Sequence, residues 1–184
     1  MQETPNKLYT YEDYLKIDND NRYELIGGEL VLVPAPRTAH QRVSTNLVYA
    51  ILDFIRKNKL GELFHAPTDV LLDEPANKNT FQPDIFFVGK DRFKIIEEQR
   101  INGAPDLVIE ILSPSTSKYD RVRKSKMYYT HGVKEYWIVD PDAKVIEVFT
   151  PGEKNWNLAE AYDTDGILTS PLLPGLQINL TDVF

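Results

Sequence analysis

DLVIEIL, residues 106–112, sets Leu107, Val108, Ile109, Ile111 and Leu112 around one glutamate, Glu110. A short apolar run without alternation fits a central strand covered on both faces. A charge in such a run is costly unless a positive group or a hydrogen-bonding partner meets it. After this strand, SPSTSKYDRVRKSKMYYTHG (113–132) reads as a loop into a helix that ends at Gly132. VKEYWIVD (133–140) is again apolar. Strand, helix, strand in that order predicts a crossover unit whose two strands are parallel neighbours.

Upstream of the run, Val43, Leu47, Ala50, Ile51, Phe54 and Ile55 recur at helical spacing and predict one long helix from about Thr38 to Asn58, with Gly61 fitting its end. ELFH (62–65), TDVLLD (68–73) and DIFFVG (84–89) read as strands, with EPANKNTFQ (74–82) as a loop. RFKIIEEQRI (92–101) reads as a short helix. Near the N-terminus, RYELI and ELVLV flank Gly27-Gly28, a two-residue hairpin signal. Thr10 with Asp13 resembles a capping arrangement for a short helix. Past residue 140, KVIEVFT pairs back through Pro141-Asp142-Ala143, and WNLAEAY opens the tail. The fold class is α/β or α+β, a mixed sheet packed on helices.

With 184 residues the chain is long enough for one globular domain over 1–184, its core at about 38–140. No apolar stretch reaches the ~18 residues of a membrane span. MQETPNKLYTYEDY is too polar for a signal peptide, so a cytoplasmic protein is the expectation. The absence of cysteine removes disulfides and thiolate metal sites. A net charge of −7 counts against a nucleic-acid binder. Acids gathered for a metal would lower that charge without removing a local basic face. Lys118, Arg121, Arg123, Lys124 and Lys126 form the one basic patch, although most such clusters simply face water.

Two acids carry the chemistry. Asp84 follows Pro83 at the start of IFFVG, and Glu110 lies late in its own strand. If the strands are neighbours, both carboxylates converge at one sheet edge, and two carboxylates with waters and a phosphate oxygen suit Mg²⁺. Taken singly, each has a plainer reading: Asp84 caps a turn, and Glu110 pairs with an arginine. The helix that follows carries Lys124 and, four residues on, Tyr128 on the same face. Its start should lie near the carboxyl end of the strand, where α/β sites usually form.

The order helix, three strands, helix, strand resembles the core of the PD-(D/E)XK restriction-endonuclease-like superfamily. Pro83-Asp84 in QPDI matches its PD, and Glu110 matches its second acid. The usual lysine two residues after that acid is here Leu112. Some branches move the lysine to the following helix, where Lys124 stands. YELIGGEL, QPDI, VIEILSPST, the YDR…K…Y helix and GVKEYWIVDP are similar to strings of one large bacterial group classed as endonucleases of unknown function. The resemblance spans roughly residues 8 to 150.

The resemblance implies that Asp84 and Glu110 ligate Mg²⁺ or Mn²⁺ with help from the Ile111 carbonyl, and that Lys124 replaces the motif lysine. It implies that Glu24 orients water or a second metal; a polar residue on a hairpin is the even alternative. His40, at the start of the long helix, is an accessory candidate, though a cap or a packed side chain is the commoner role. Tyr128 is more simply core packing with a hydroxyl partner. Tyr136 and Trp137 read as structural, and Asp69 as a weak further acid. The implied function is metal-dependent hydrolysis of phosphodiester bonds, with DNA as the expected substrate. Two alternatives stay open: a non-catalytic binding or assembly module on the same fold, and a hydrolase of a small phosphorylated molecule. A homodimer is expected, since two copies can cut two strands.

Overall fold

Leu107–Ile111 forms a strand buried along its whole length. The structure, a computed structural model, describes residues 7–73, 76–113 and 120–184, with the backbone alone for Asp120 and Arg121. In chain order the elements are α1 (Tyr11–Tyr14), β1 (Arg22–Ile26), β2 (Glu29–Val33), α2 (Thr38–Asn58), β3 (Gly61–His65), β4 (Val70–Leu71), β5 (Thr80–Phe81), β6 (Ile85–Gly89), β7 (Ile101–Asn102) and β8 (Leu107–Ile111). They continue as α3 (Ser125–Thr130), β9 (Glu135–Asp140), β10 (Val145–Pro151), β11 (Trp156–Tyr162), β12 (Ile167–Thr169) and β13 (Gln177–Asn179). A π-helical turn, Asp120–Lys124, leads into α3, and 3₁₀ turns span Lys90–Ile95 and Leu180–Asp182.

Six strands form the main sheet in the order β11-β10-β9-β8-β6-β3. β8 and β9 are parallel, as the strand–helix–strand pattern requires, while β6 runs antiparallel to β8. One face packs on α2, whose Val43, Leu47, Ile51 and Ile55 recur every fourth residue and join Ile109, Ile111, Trp137 and the C-terminal Leu168, Ile178 and Leu180 in one cluster. Each fully buried aliphatic side chain contributes at most about 1.5–3 kcal/mol. The other face packs on a five-stranded sheet, order β2-β1-β5-β4-β7, and on α3.

Strand alternation now places Glu110. Ile109 and Ile111 point into the α2 cluster, and Val108 and Leu112 point into the opposite one. Glu110 shares parity with the second pair and faces the second sheet.

The structure corrects several expectations. A second sheet was not foreseen, because β5 and β7 have two residues each, too short to show a period. β5 lies inside the segment read as a loop, and TDVLLD shortens to Val70–Leu71. α2 ends at Lys59, which takes the left-handed conformation at φ 53°, rather than at Gly61. Gly61 instead opens β3, where a Cβ would collide with the Val88 carbonyl. Thr10 and Asp13 do form a capping box, but on a helix of only four residues. Residues 1–6 and 114–119, including Lys118, lie outside the described residues. Among the described residues no helix is long and apolar enough to cross a membrane.

A buried acid ties the C-terminal segment to β9. The Glu135 carboxylate accepts from Trp137 Nε1 and the Ser170 hydroxyl on one oxygen and from the Leu172 amide on the other, each at 2.7 Å. Burial pushes its carboxyl above the ordinary 4.5, against the pull of those three bonds. The folded acid therefore holds its proton more tightly than the unfolded one. Its contribution is full below pH 4.5 and is lost as pH rises through the folded value. Glu135→Gln must turn an amide N–H₂ toward one of these donors, so we expect it to lower stability by roughly 1–3 kcal/mol. Because glutamine does not titrate, that deficit should shrink as pH rises from 4.5 toward 7 in urea unfolding, whereas a deficit that grows would refute the assignment.

Candidate active site

The register that pairs Ile85 with Ile109 sets Asp84, one residue before β6, across from Glu110. The Ile111 amide donates to Asp84 Oδ2 at 2.7 Å, locking the carboxylate against the end of β8. His40 Nε2, from the first turn of α2, lies 3.3 Å from the same oxygen.

Glu110 meets the positive group that its apolar surroundings call for. Lys124 Nζ lies 3.2 Å from both of its oxygens, and the Tyr128 hydroxyl donates to Oε1 at 2.6 Å. Burial, then the nearby carboxylates of Glu110 and Glu24, hold the Tyr128 phenol well above its usual range. It is a neutral donor. Lys124 also reaches Glu24 Oε1 at 2.9 Å, and that oxygen accepts from the Gln82 amide at 2.9 Å. Glu24, Glu110 and Lys124 are 3%, 2% and 5% exposed, so this ion triad is dry on the protein side.

Local structure explains how the lysine arrives. Leu112, at the usual lysine position, is on the Glu110 face but buried in the apolar cluster. The chain leaves β8, and the π turn before α3 brings Lys124 back over Glu110. π turns are frequent at functional sites. Tyr128, one turn further, reaches the same carboxylate because residues four apart share a helix face.

Around the triad lies a cavity of about 500 Å³. Glu24, Asp84, Glu110 and Ile111 line it, as do Arg22, Arg37, His40, His65, Gln82 and Lys124. Gln82 anchors one wall. Its Oε1 accepts from Arg22 Nε at 3.2 Å and Nη2 at 2.9 Å, and its Nε2 donates to Asp69 Oδ1 at 2.8 Å and to the Tyr14 hydroxyl at 3.2 Å. Asp69 also accepts from Tyr11 and Tyr14. Burial, then that carboxylate, pushes the Tyr14 phenol up to about 12.

The structure thus gathers Asp84, Glu110, Ile111, Lys124, Glu24 and His40 at one cavity, and Tyr128 behind it. Asp69 stands apart from the acids as a holder of tyrosines and of Gln82. The charge beside Glu110 is a lysine, not an arginine. The basic patch divides: Lys124 is buried, Lys126 is exposed, and the half-exposed Arg123 lies 3.7 Å from Glu29. Sequence reading missed Gln82 and Arg22. Gln82 is uncharged and was passed over within QPDI. Arg22 was detectable, since it stands two residues before Glu24 and so on the same strand face.

Residues 10–181 match the family described as "Putative restriction endonuclease" (Uma2), and the chain belongs to that family. An uncharacterized protein of Synechocystis sp. is 25% identical over 158 residues, 84% of this chain and 88% of that protein. The crystal structure of a putative nuclease belonging to DUF820 from Anabaena variabilis superposes with a TM-score of 0.77 at 24% identity, covering 95% of this chain and 97% of that one. The fold is restriction-endonuclease-like.

Removing the ammonium would leave two buried carboxylates facing each other. Lys124→Ala is therefore expected to cost about 3–5 kcal/mol at pH 8. Thermal unfolding at pH 8 checks this, and an undiminished Tm contradicts the triad.

Proposed function

We propose that the chain is a metal-dependent endonuclease that hydrolyses phosphodiester bonds, with DNA as substrate. The observation that carries this is the meeting of Asp84, Glu110 and Lys124 at one cavity, from separate elements of a restriction-endonuclease-like fold. A sheet edge that only needed to be covered would not keep two carboxylates there.

The donor set suits a hard cation. Asp84 and Glu110 offer carboxylate oxygens and Ile111 a backbone carbonyl, the oxygen chemistry that Mg²⁺ prefers when it retains several waters. Among the described residues no group of three or more His, Asp or Glu side chains is gathered for a metal, so carbonyl and water oxygens would complete the shell. When bound, such an ion lowers the pKa of a coordinated water and polarises the phosphate. In the reaction, water adds to phosphorus and one P–O ester bond breaks, giving a phosphomonoester and an alcohol. Lys124 stabilises charge on the phosphoryl oxygens from a position fixed by Glu24 and Glu110. The Ile111 amide and His40 orient Asp84. Glu24 serves through Lys124, as a positioning residue. Tyr128 keeps Glu110 in one rotamer, so its carboxylate faces the cavity in a preorganised geometry.

A specific observation favours the non-catalytic alternative: Lys124 and Tyr128 already satisfy both Glu110 oxygens. One experiment separates the readings. Supercoiled plasmid is incubated with protein and Mg²⁺ or Mn²⁺, with wild type beside Asp84→Ala. The expected result is nicking by wild type, abolished by EDTA and reduced at least about 100-fold in the variant. Nicking that persists in Asp84→Ala would remove the acid from the mechanism, and binding without any nicking would favour the inert module.

A further inference from the structure

Resting on the nuclease reading, we infer that Arg22 is a substrate-binding residue that grips a backbone phosphate beside the scissile one, and that Gln82 aims it. Arg22 opens β1, is half-buried and lines the cavity that holds Asp84 and Glu110. Its hydrogen-bond partner is neutral: Nε and Nη2 donate to Gln82 Oε1 at 3.2 and 2.9 Å. Among the described residues no carboxylate forms an ion pair with it. A guanidinium held by an amide keeps its full positive charge, whereas one held by a carboxylate is neutralised. Lys124 shows the opposite case, enclosed by two acids at 2.9 and 3.2 Å.

The amide is itself fixed. Gln82 Nε2 donates to Asp69 and Tyr14, so Oε1 must face Arg22, and the rotamer has no freedom to turn. Two donors of the guanidinium fork are engaged along one edge, which leaves its outer N–H groups for a ligand. Planar forks of this kind match phosphate oxygens bidentately. Alternation places Arg22 on the same strand face as Glu24, so its head stands on the wall that also carries the Lys124 triad. A polymer whose scissile phosphate sits at Asp84 and Glu110 would present a neighbouring phosphate to this wall. Phosphate contacts fix register without reading bases.

The test is binding of a fluorescein-labelled DNA duplex in Ca²⁺ buffer, followed by anisotropy over a series of salt concentrations. Wild type, Arg22→Met, Arg22→Lys and Gln82→Glu are compared. Arg22→Met should weaken binding about tenfold. It should also flatten the slope of log affinity against log salt by about one, the signature of one lost phosphate contact. Arg22→Lys should restore the slope while recovering only part of the affinity. Gln82→Glu, which places a carboxylate on an intact Arg22, should mimic Arg22→Met and decides the matter if that variant does not fold. An unchanged slope in both Arg22→Met and Gln82→Glu overturns the inference, as does a wild type that binds no duplex. Wild type that nicks plasmid while these slopes stay unchanged would sink this inference alone. An Arg22-dependent slope in a protein that never nicks would sink the nuclease reading and leave the phosphate contact standing.

Discussion

Everything at the site depends on one ammonium group held between two carboxylates that belong to different sheets. Glu110 comes from the centre of the six-stranded sheet and Glu24 from the second strand of the five-stranded one. Lys124 meets both from the turn that precedes α3. Each of these charges would lose several kcal/mol of hydration if buried alone. Together they leave one negative charge, and the Tyr128 hydroxyl and the Gln82 amide each donate one further hydrogen bond to the carboxylates. With Asp84 beside them, three carboxylates and Lys124 stand close together, and Arg22 and Arg37 line the same cavity.

The triad also specifies the fold. A buried ion pair seldom adds net stability over well-packed apolar residues, but a broken one is severe. A slip of one residue along β8 would turn Glu110 into the α2 cluster and Ile111 toward Lys124. The same slip in β1 would carry Glu24 away from the shared ammonium. Register in both sheets is therefore tied to a single contact, which is a stronger constraint than hydrophobic pattern alone on strands as uniformly apolar as β8.

How much of this was legible varied with length and period. The limits of α2 match the expectation because an apolar stripe over so many turns leaves little ambiguity, and the parallel pairing of β8 with β9 follows from the helix between them. The hairpin at Gly27-Gly28 follows from turn chemistry. β5 and β7 carry no readable period, and with them the whole second sheet stayed hidden. That in turn hid what Glu24 touches. The acids at Asp84 and Glu110 could be picked from their settings, but Leu112 offered no lysine. Lys124 could be picked from its place on the helix after β8, near the strand's carboxyl end, and the resemblance added the role of the missing lysine. Gln82 gave no signal because its work is done by a side-chain amide and a backbone N–H, and neither has a compositional mark.

The second sheet changes what the N-terminal hairpin is for. Read as an appendage to a nuclease-like core, it would be expected to cover a sheet face and little more. Yet β1 delivers Glu24 to the triad and Arg22 to the cavity, and the residue after β5 delivers Gln82, which touches both by different groups. Gln82 is bonded in turn to Tyr14 and Asp69, so α1 and the segment before β4 brace the same wall. The cavity is thus an interlayer site. Asp84 and Glu110 are fixed by the main sheet, Glu24 and Arg22 by the second sheet, and Lys124 by the turn before α3. An acidic chain can still hold a local cationic wall: Arg22, Arg37 and Lys124 line one cavity while the net charge of the chain is −7.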